Sequence, residues 1–484
     1  MMEKELQLRN DISQKLKLTQ FKGKDHNRLA FHLTPPVGLM NDPNGLVYYK
    51  GKYHVFYQWN PFETKHTFKC WGHYSSKDLV HWDEHHPALI PSEWYEKDGC
   101  YSGSAIEYDH KLFLFYTGNV KKEDGNRETY QCLAISEDGI HFDKKGPVVH
   151  LPEGFTPHFR DPKVWQQENK WFMVIGAQTE SLIGQAILFS SDDLEHWQME
   201  GPLAGNGMSL SNNFGYMWEC PDFFSLNNQD ILLVSPQGLK SEPFKYENLF
   251  QSGYFIGEWD LKSNMYVHGE FTELDHGFDF YAPQTFEDQT GRRILFAWMG
   301  MGDEQEQFHH SIKYGWLHAL TIPRELYVKD SCLYQKPIEE LKLLRNKRDS
   351  DNITISNEKM EIPLDSELNE IMIDIEQFAG KQFEIQLQNN CKLIYNEEGI
   401  LTLERKSFDE NQLETRQCKI DKLEKIHMFL DRSSLEIFLN DGKTVFTSRF
   451  YEETAKNQCV IAVKGKLKFG WEIWSLQSYQ INHQ

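Results

Sequence analysis

"KYHVFYQ", Lys52 to Gln58, is a short apolar and aromatic run that starts on a basic residue just after the turn signal Lys50-Gly51. Alone it reads as one strand of a hairpin. The phrase returns as "KLFLFYT" from Lys111, "KWFMVIG" from Lys170, "DILLVSP" from Asp230 and "RILFAWM" from Arg293, at intervals of 59, 59, 60 and 63 residues. A second phrase keeps step with the first three copies: "SSKDLVHW" ending at Trp82, "ISEDGIHF" ending at Phe142 and "SSDDLEHW" ending at Trp197. Self-similarity at a fixed period marks a repeat architecture. Short strands in units of this length suit propeller blades, whose ring protects the sheet edges. The repeats predict a five-bladed β-propeller over residues 30–336, preceded by an N-terminal extension, residues 1–29.

Beyond Lys336 the pattern changes. "PIEELKLLRNKR", Pro337 to Arg348, has helical spacing and opens on proline, so residues 337–351 read as a connector. From Asn352 onward strands alternate, as in "GILTLERK". "SLEIFLNDGKTVFTSRF", Ser434 to Phe450, is a hairpin with Asp441-Gly442 at its turn. Residues 352–484 are expected to form a C-terminal β-sandwich, which makes the chain all-β.

At 484 residues the chain has room for about two domains. Its net charge of −21 speaks against nucleic-acid partners, which need a concentrated basic patch; only short basic runs such as "KLLRNKR" occur. Aromatics are 14 % of the residues, enough for large cores and for a sugar-sized cleft. The first residues lack the apolar core of a signal peptide, and no apolar run reaches membrane-spanning length. The eight cysteines are scattered without a CxxC pair, so no zinc site or disulfide framework is expected. Thiols in a reducing cytoplasm are the simpler reading.

The repeat also locates the chemistry. A segment just before each hairpin should form the innermost strand of its blade. Asp42 precedes Lys52 by 10 residues, Ser102 precedes Lys111 by 9, Asp161 precedes Lys170 by 9, Glu219 precedes Asp230 by 11 and Tyr281 precedes Arg293 by 12. Taken as equivalent, these side chains gather around one axis and bring three carboxylates to one mouth. Glu219 is flanked by Trp218, Cys220 and Pro221. An acid in apolar surroundings near other carboxylates has a raised pKa, as a general acid requires. An acid beside donors stays ionised, as a nucleophile requires, and such divergence is the pattern of glycoside hydrolysis. Plainer readings stand beside each motif. Asp42 in "NDPNG" is also a good turn residue. A calcium loop fails on spacing, because the twelfth residue from Asp42 is Tyr53 rather than a glutamate. Arg160 and Asp161 could form a local ion pair, and Asp222 competes with Glu219. The pairs His81-Trp82 and His196-Trp197 read as packing.

"LMNDPNG", "FRDP" and "ECPD", in that order, resemble glycoside hydrolase family 32, the invertases and fructan hydrolases. The likeness runs from about His32 to the end and includes "DRSSLEIFLNDG". The wording "HLTPPVGLMNDPNG" looks most like the bacterial branch that acts on sucrose 6-phosphate. The resemblance implies a five-bladed propeller plus sandwich, and hydrolysis of a β-fructofuranoside with retention. It implies Asp42 as nucleophile, Glu219 as acid/base and Asp161 as transition-state stabiliser with Arg160. Asn41, Gln58, Tyr101, Ser102 and Trp298 match positions lining the fructose site. Tyr281 joins them by its place in the repeat, and Trp71 by bordering the cleft. One departure stands out: many members have a tryptophan eight residues after the equivalent of Gln58, where this chain has His66. His66, with Lys65 and Lys69 in "FETKHTFKC", offers a cationic candidate for a phosphate. No metal or cofactor is implied, since the two carboxyls supply nucleophile and proton. The expected partners are small sugars (sucrose 6-phosphate, sucrose or short fructo-oligosaccharides), the expected place is the cytoplasm, and the expected state is monomer or homodimer. A fructosyltransferase would use the same residues and yield growing oligosaccharides. A sugar-binding propeller would need no converging carboxylates, and "NDPNG" argues against an arabinan hydrolase of similar shape.

Overall fold

Each copy of the hairpin phrase forms the second strand, in chain order, of its own sheet and pairs antiparallel with its neighbours: Lys52–Asn60, Lys111–Lys121, Lys170–Thr179, Gln229–Gln237 and Arg293–Met299. These strands are buried along nearly their whole length, which is why the phrase is apolar throughout rather than alternating. In this computed structural model the described residues are 2–19, 25–205, 214–387, 391–409, 412–451 and 457–483.

On one side each phrase pairs with an inner strand: Gly38–Tyr49, Cys100–Tyr108, Phe155–Gln167, Met217–Leu226 or Tyr281–Glu287. Successive inner strands are neighbours, and the strand Tyr281–Glu287 lies beside Gly38–Tyr49. The segment 316–320 laces the fifth sheet to the first, because Trp316–Leu317 pairs in parallel with Gly38–Leu39 while Ala319–Leu320 pairs with Trp298–Met299. The part of the chain from Gly38 to Pro337 is thus a β-propeller, built of strands joined by turns, loops and short 3-10 helices.

The second repeated phrase is a turn with one bonding pattern. Ser76, Ser136 and Ser191 each accept a backbone N–H three residues on, and Asp78, Asp138 and Asp193 each take the backbone N–H and the Nδ1 of His81, His141 and His196. The histidines of this phrase are turn residues, in line with their reading as structure.

After the propeller, Glu339–Leu344 makes a 3-10 turn and Arg345–Ser356 is already a strand. The C-terminal half is sandwich-like, with one core that includes Ile371, Leu403, Ile437 and Phe469. Hydrogen bonding makes it a single ten-stranded sheet. Its spine is the strand Leu368–Leu387, whose first part pairs with Lys425–Asp431 and whose second part pairs with Cys391–Asn396, while Gln458–Leu476 follows it on the other side. Asn440 and Asp441 take left-handed backbone angles at the expected hairpin turn.

Two features tie the halves together. Gln480–His483 pairs in parallel with His81–Glu84 and forms the outer edge of the first propeller sheet. A seam of buried charge also lies between the halves. His32 bonds Asp431 through Nδ1 at 2.8 Å and Glu436 through Nε2 at 2.9 Å. Arg324 donates to Glu436 at 2.5 Å and to Asp275 at 3.1 Å. The helix Met2–Thr19 packs through Ile12 into the core of the first sheet, and Arg9 donates to the carbonyl of Pro87. No helix among the described residues is long and apolar enough to cross a membrane.

Candidate active site

A bulge interrupts every inner strand, and the expected site residues sit at the bulges. Register shifts fall at Asn41 and Asp42, at Ser102, at Asp161, at Cys220 and at Ala282. A bulge adds a residue, bends the strand and re-aims a side chain. In the last three sheets the device is identical. Asp161, Cys220 and Ala282 adopt positive φ (66°, 48° and 51°), and each is followed by a proline. Left-handed angles at non-glycine residues are strained and cluster at functional sites, and proline, lacking an N–H, is tolerated at a bulge. This register corrects one expectation. Glu219 is not the counterpart of Asp161. It shares its place with Arg160 and Tyr281, one residue earlier, and the counterpart of Asp161 is Cys220.

The offset decides which groups meet. Arg160 donates to Glu219 Oε1 from Nε at 3.0 Å and from Nη2 at 2.5 Å. Glu219 Oε2 accepts from Tyr281 Oη at 2.6 Å and from Gln237 Nε2 at 2.7 Å. One position on, Cys220 N–H donates to Asp161 Oδ2 at 3.0 Å, and its sulfur lies 3.6 Å from that oxygen and 4.0 Å from Asp42 Oδ2. Asp42 also accepts from Ser102 Oγ at 2.6 Å and from Asn41 Nδ2 at 3.0 Å. All three carboxylates border one cavity of about 320 Å³, shared with Gln58, Tyr101 and Trp298. Gln58 is held by donating to the carbonyl of Cys100 at 3.0 Å.

The electrostatics differ from the expected assignment. Burial opposes ionisation of Glu219, but the charge of Arg160 and the bonds from Tyr281 and Arg160 outweigh it and hold the carboxyl below its usual range. Asp161 is the carboxyl that is raised. Burial is the first cause, Arg160 opposes it, and the charges of Glu219 and Asp42 add to it. Burial, then Asp161 and Asp42, keep the Cys220 thiol protonated, so it serves as a donor.

The cationic loop is also rearranged. Lys69 is buried; it donates to Asn41 Oδ1 and, at 3.0 Å, to His66 Nδ1. Burial pulls its ammonium down to about 8, with Asp42 and Glu306 pulling the other way. His66 Nε2 and His318 Nε2 each lie 2.8 Å from Glu306 Oε1. His66, Glu306 and His318 are close enough to share a cation, yet both short contacts are hydrogen bonds to one oxygen, and Lys69 occupies the other nitrogen of His66. Two members of the expected phosphate cluster, His66 and Lys69, are therefore paired internally, while Lys65 stands exposed. Trp71 is a second correction. It is fully buried beneath the pocket wall, donates to the carbonyl of Tyr101 at 3.0 Å and packs on Phe56 and Tyr116. Asp222, the rival acid, is buried against Lys163 and the Thr285 N–H. Sequence reasoning missed Gln237, Phe250, Arg127 and Gly302 in the pocket wall and Glu306 behind it. None of them lies at an inner-strand bulge, so the repeat carries no signal for them.

Known proteins share the sequence and the fold. The family model "Glycosyl hydrolases family 32 N-terminal domain" matches residues 32–337, and the family's C-terminal model matches residues 340–478. The chain is 51 % identical to a sucrose-6-phosphate hydrolase of Bacillus subtilis (strain 168) over 455 residues, 93 % of this chain and 95 % of that protein. Its fold matches the sucrose-6-phosphate hydrolase of Lactobacillus gasseri with a TM-score of 0.87 at 31 % identity, covering 96 % of this chain and 97 % of the other. It matches the β-fructofuranosidase BmSUC1 of Bombyx mori with a TM-score of 0.86 at 32 % identity, covering 98 % and 99 %. The chain belongs to glycosyl hydrolase family 32.

Proposed function

We propose that this chain is a retaining β-fructofuranosidase that hydrolyses sucrose 6-phosphate, and sucrose less well, to release fructose. The observation that carries the reading is the meeting of Asp42, Asp161 and Glu219 on one pocket. Asp42 attacks the anomeric carbon of fructose, and Ser102 and Asn41 hold its carboxylate for that attack. Glu219 protonates the departing glucosyl oxygen and then, as a base, activates the water that releases the sugar. Asp161, with Cys220 holding one oxygen, binds fructose hydroxyls and stabilises the transition state. Arg160 keeps Glu219 ionised, so the proton needed for cleavage reaches Glu219 when a sugar hydroxyl takes over the donors of Arg160. Substrate binding and acid loading are then one event.

The five sheets are read as five blades of one ring; the neighbouring inner strands and the lacing segment 316–320 support this. The catalytic domain is placed at residues 30–336, after the extension 1–29, with the connector at 337–351 and the accessory domain at 352–484. A phosphorylated sugar substrate fits a cytoplasmic enzyme. The test is to follow sucrose 6-phosphate by proton NMR. β-Fructofuranose as the first anomer, with glucose 6-phosphate as coproduct, supports the reading. The α-anomer first would sink retention, and oligosaccharides growing with sucrose concentration would move the chain to the transferases.

A further inference from the structure

We infer that Arg127 is the residue that selects the phosphorylated substrate, by receiving the phosphate of the leaving glucosyl group at the mouth of the pocket. The inference rests on the proposed substrate and adds where its charge is read. Four side chains bordering the pocket can carry positive charge: His66, Lys69, Arg127 and Arg160. Three are spent inside. Lys69 is held by Asn41 and His66, His66 by Glu306 and Lys69, and Arg160 by Glu219 and His158. Arg127 alone has no hydrogen-bond or ion-pair partner among the described residues, and it is exposed.

Its position is built by a hairpin. Lys121 and Arg127 are cross-strand partners at the tip formed by Lys111–Lys121 and Arg127–Ser136. Alternation along a strand sends neighbouring side chains to opposite faces. Glu128 is accordingly occupied elsewhere, by Lys122 at 2.6 Å and by Tyr130 at 2.9 Å, and cannot neutralise Arg127. Arg127 lines the same pocket as Tyr101, Arg160 and Glu219. Its charge reaches Tyr101 and His158, the latter bonded to Arg160, which is consistent with a place on the Arg160–Glu219 side of the pocket. That is the side where the leaving group takes its proton, and the glucosyl half carries the phosphate. His158 offers a second donor there. Its Nδ1 accepts from Arg160 Nη1 at 3.0 Å, which fixes the proton on Nε2, and Nε2 has no partner among the described residues. A planar guanidinium suits the bidentate geometry of a phosphate. In a chain of net charge −21, a dianion needs such a local cation.

The experiment compares Arg127→Ala, Arg127→Lys and the unaltered protein on sucrose 6-phosphate and sucrose, with glucose 6-phosphate as competitive inhibitor. The ratio of kcat/KM for the phosphorylated over the plain sugar should fall about tenfold or more in Arg127→Ala, as expected for a lost charge-assisted hydrogen bond. The inhibition constant of glucose 6-phosphate should rise by a similar factor, and Arg127→Lys should recover part of both. A retained ratio and an unchanged inhibition constant in Arg127→Ala would overturn the inference and leave the proposed function standing. Equal losses on both sugars would overturn it as well, since they mean a general role in the pocket. If the unaltered protein itself shows no preference for sucrose 6-phosphate, the substrate reading fails first and the inference falls with it.

Discussion

The molecule buries two sets of carboxylates, one around the pocket and one along the seam between its halves, and they are bonded differently. At the seam each acid takes several donors, and each has at least one from across the seam. Asp431 takes the N–H groups of Ala30 and Phe31 and the ring of His32. Glu436 takes His32, the Ile322 N–H and Arg324, and Asp275 takes Arg324, the Thr447 hydroxyl and the Gly277 N–H. Arg324 draws Glu436 below its usual range although burial opposes it. Around the pocket Glu219 is as fully bonded as Glu436. Asp161, however, is held only by Cys220 among the described residues and faces Glu219 and Asp42, so burial and those charges push it upward. Burial also raises Asp275 at the seam, where Arg324 opposes it. A fully paired buried charge holds a structure together, and its removal leaves an orphan. A partly paired charge beside a cavity is left able to exchange a proton or meet a ligand.

The sharpest way to break this comparison is Asp42→Asn. Activity should fall by on the order of 10⁴-fold or more, as for other nucleophile knockouts, while the urea midpoint stays within experimental scatter. A variant keeping a tenth of the activity would remove Asp42 from the nucleophile's role. Glu219→Ala should follow. Sucrose 6-phosphate hydrolysis should drop by a factor of about 10²–10⁴, and an aryl fructoside, whose leaving group needs no proton, should lose much less. Equal losses on the two substrates would argue for a structural role.

At the seam the effect should appear in stability instead. Arg324→Met leaves Glu436 and Asp275 without their cation and should cost about 3–5 kcal/mol. This would be read as a lower urea midpoint, with kcat/KM of the folded fraction unchanged. A midpoint equal to that of the parent would mean the seam is not what joins the halves.

The smallest predicted effect is in pH dependence. The folded state binds a proton at Asp161 more tightly than the unfolded chain does. Stability is therefore lost as pH rises from the ordinary carboxylate range through the raised value. Asp161→Asn should gain about a degree or two in Tm above neutral pH, and the gain should vanish toward pH 4. Glu436 predicts the opposite sign. Its stabilisation is present above the ordinary carboxylate range and is lost as pH falls through the lowered value. A Tm difference for Asp161→Asn that does not change with pH would mean that Asp161 is not raised.

What could be read from the sequence, and what could not, follows from the same physics. The hairpin phrase was legible because strands buried along their length must be apolar, and burial repeats wherever the fold repeats. The turn phrase was legible because Ser76, Asp78 and His81 make local bonds that any copy must keep. The one-residue offset at Glu219 was not, because a bulge changes backbone register without changing residue types. Counting back to the hairpin from Cys220 gives 10 residues, closer to the 9 counted from Asp161 than the 11 from Glu219. Lys69 looked like a loop charge because nothing local shows that Asn41, 28 positions earlier, lies within reach of its ammonium. "DRSSLEIFLNDG" stood out as a motif, but its work at the seam depends on His32 and Arg324, each more than 100 residues away.

The strand Gln480–His483 has a consequence for biogenesis. The first propeller sheet carries Asp42, yet its outer edge is closed by residues 399 positions after the segment they pair with. Its inner edge waits for Trp316–Leu317. At roughly 5–20 residues per second, the nascent sheet spends about 20–80 seconds with an open outer edge, and such an edge is a template for wrong pairing. Synthesis of this enzyme therefore leaves that edge in need of protection until Gln480–His483 is made, and added chaperones should raise the soluble yield more than any change near the pocket.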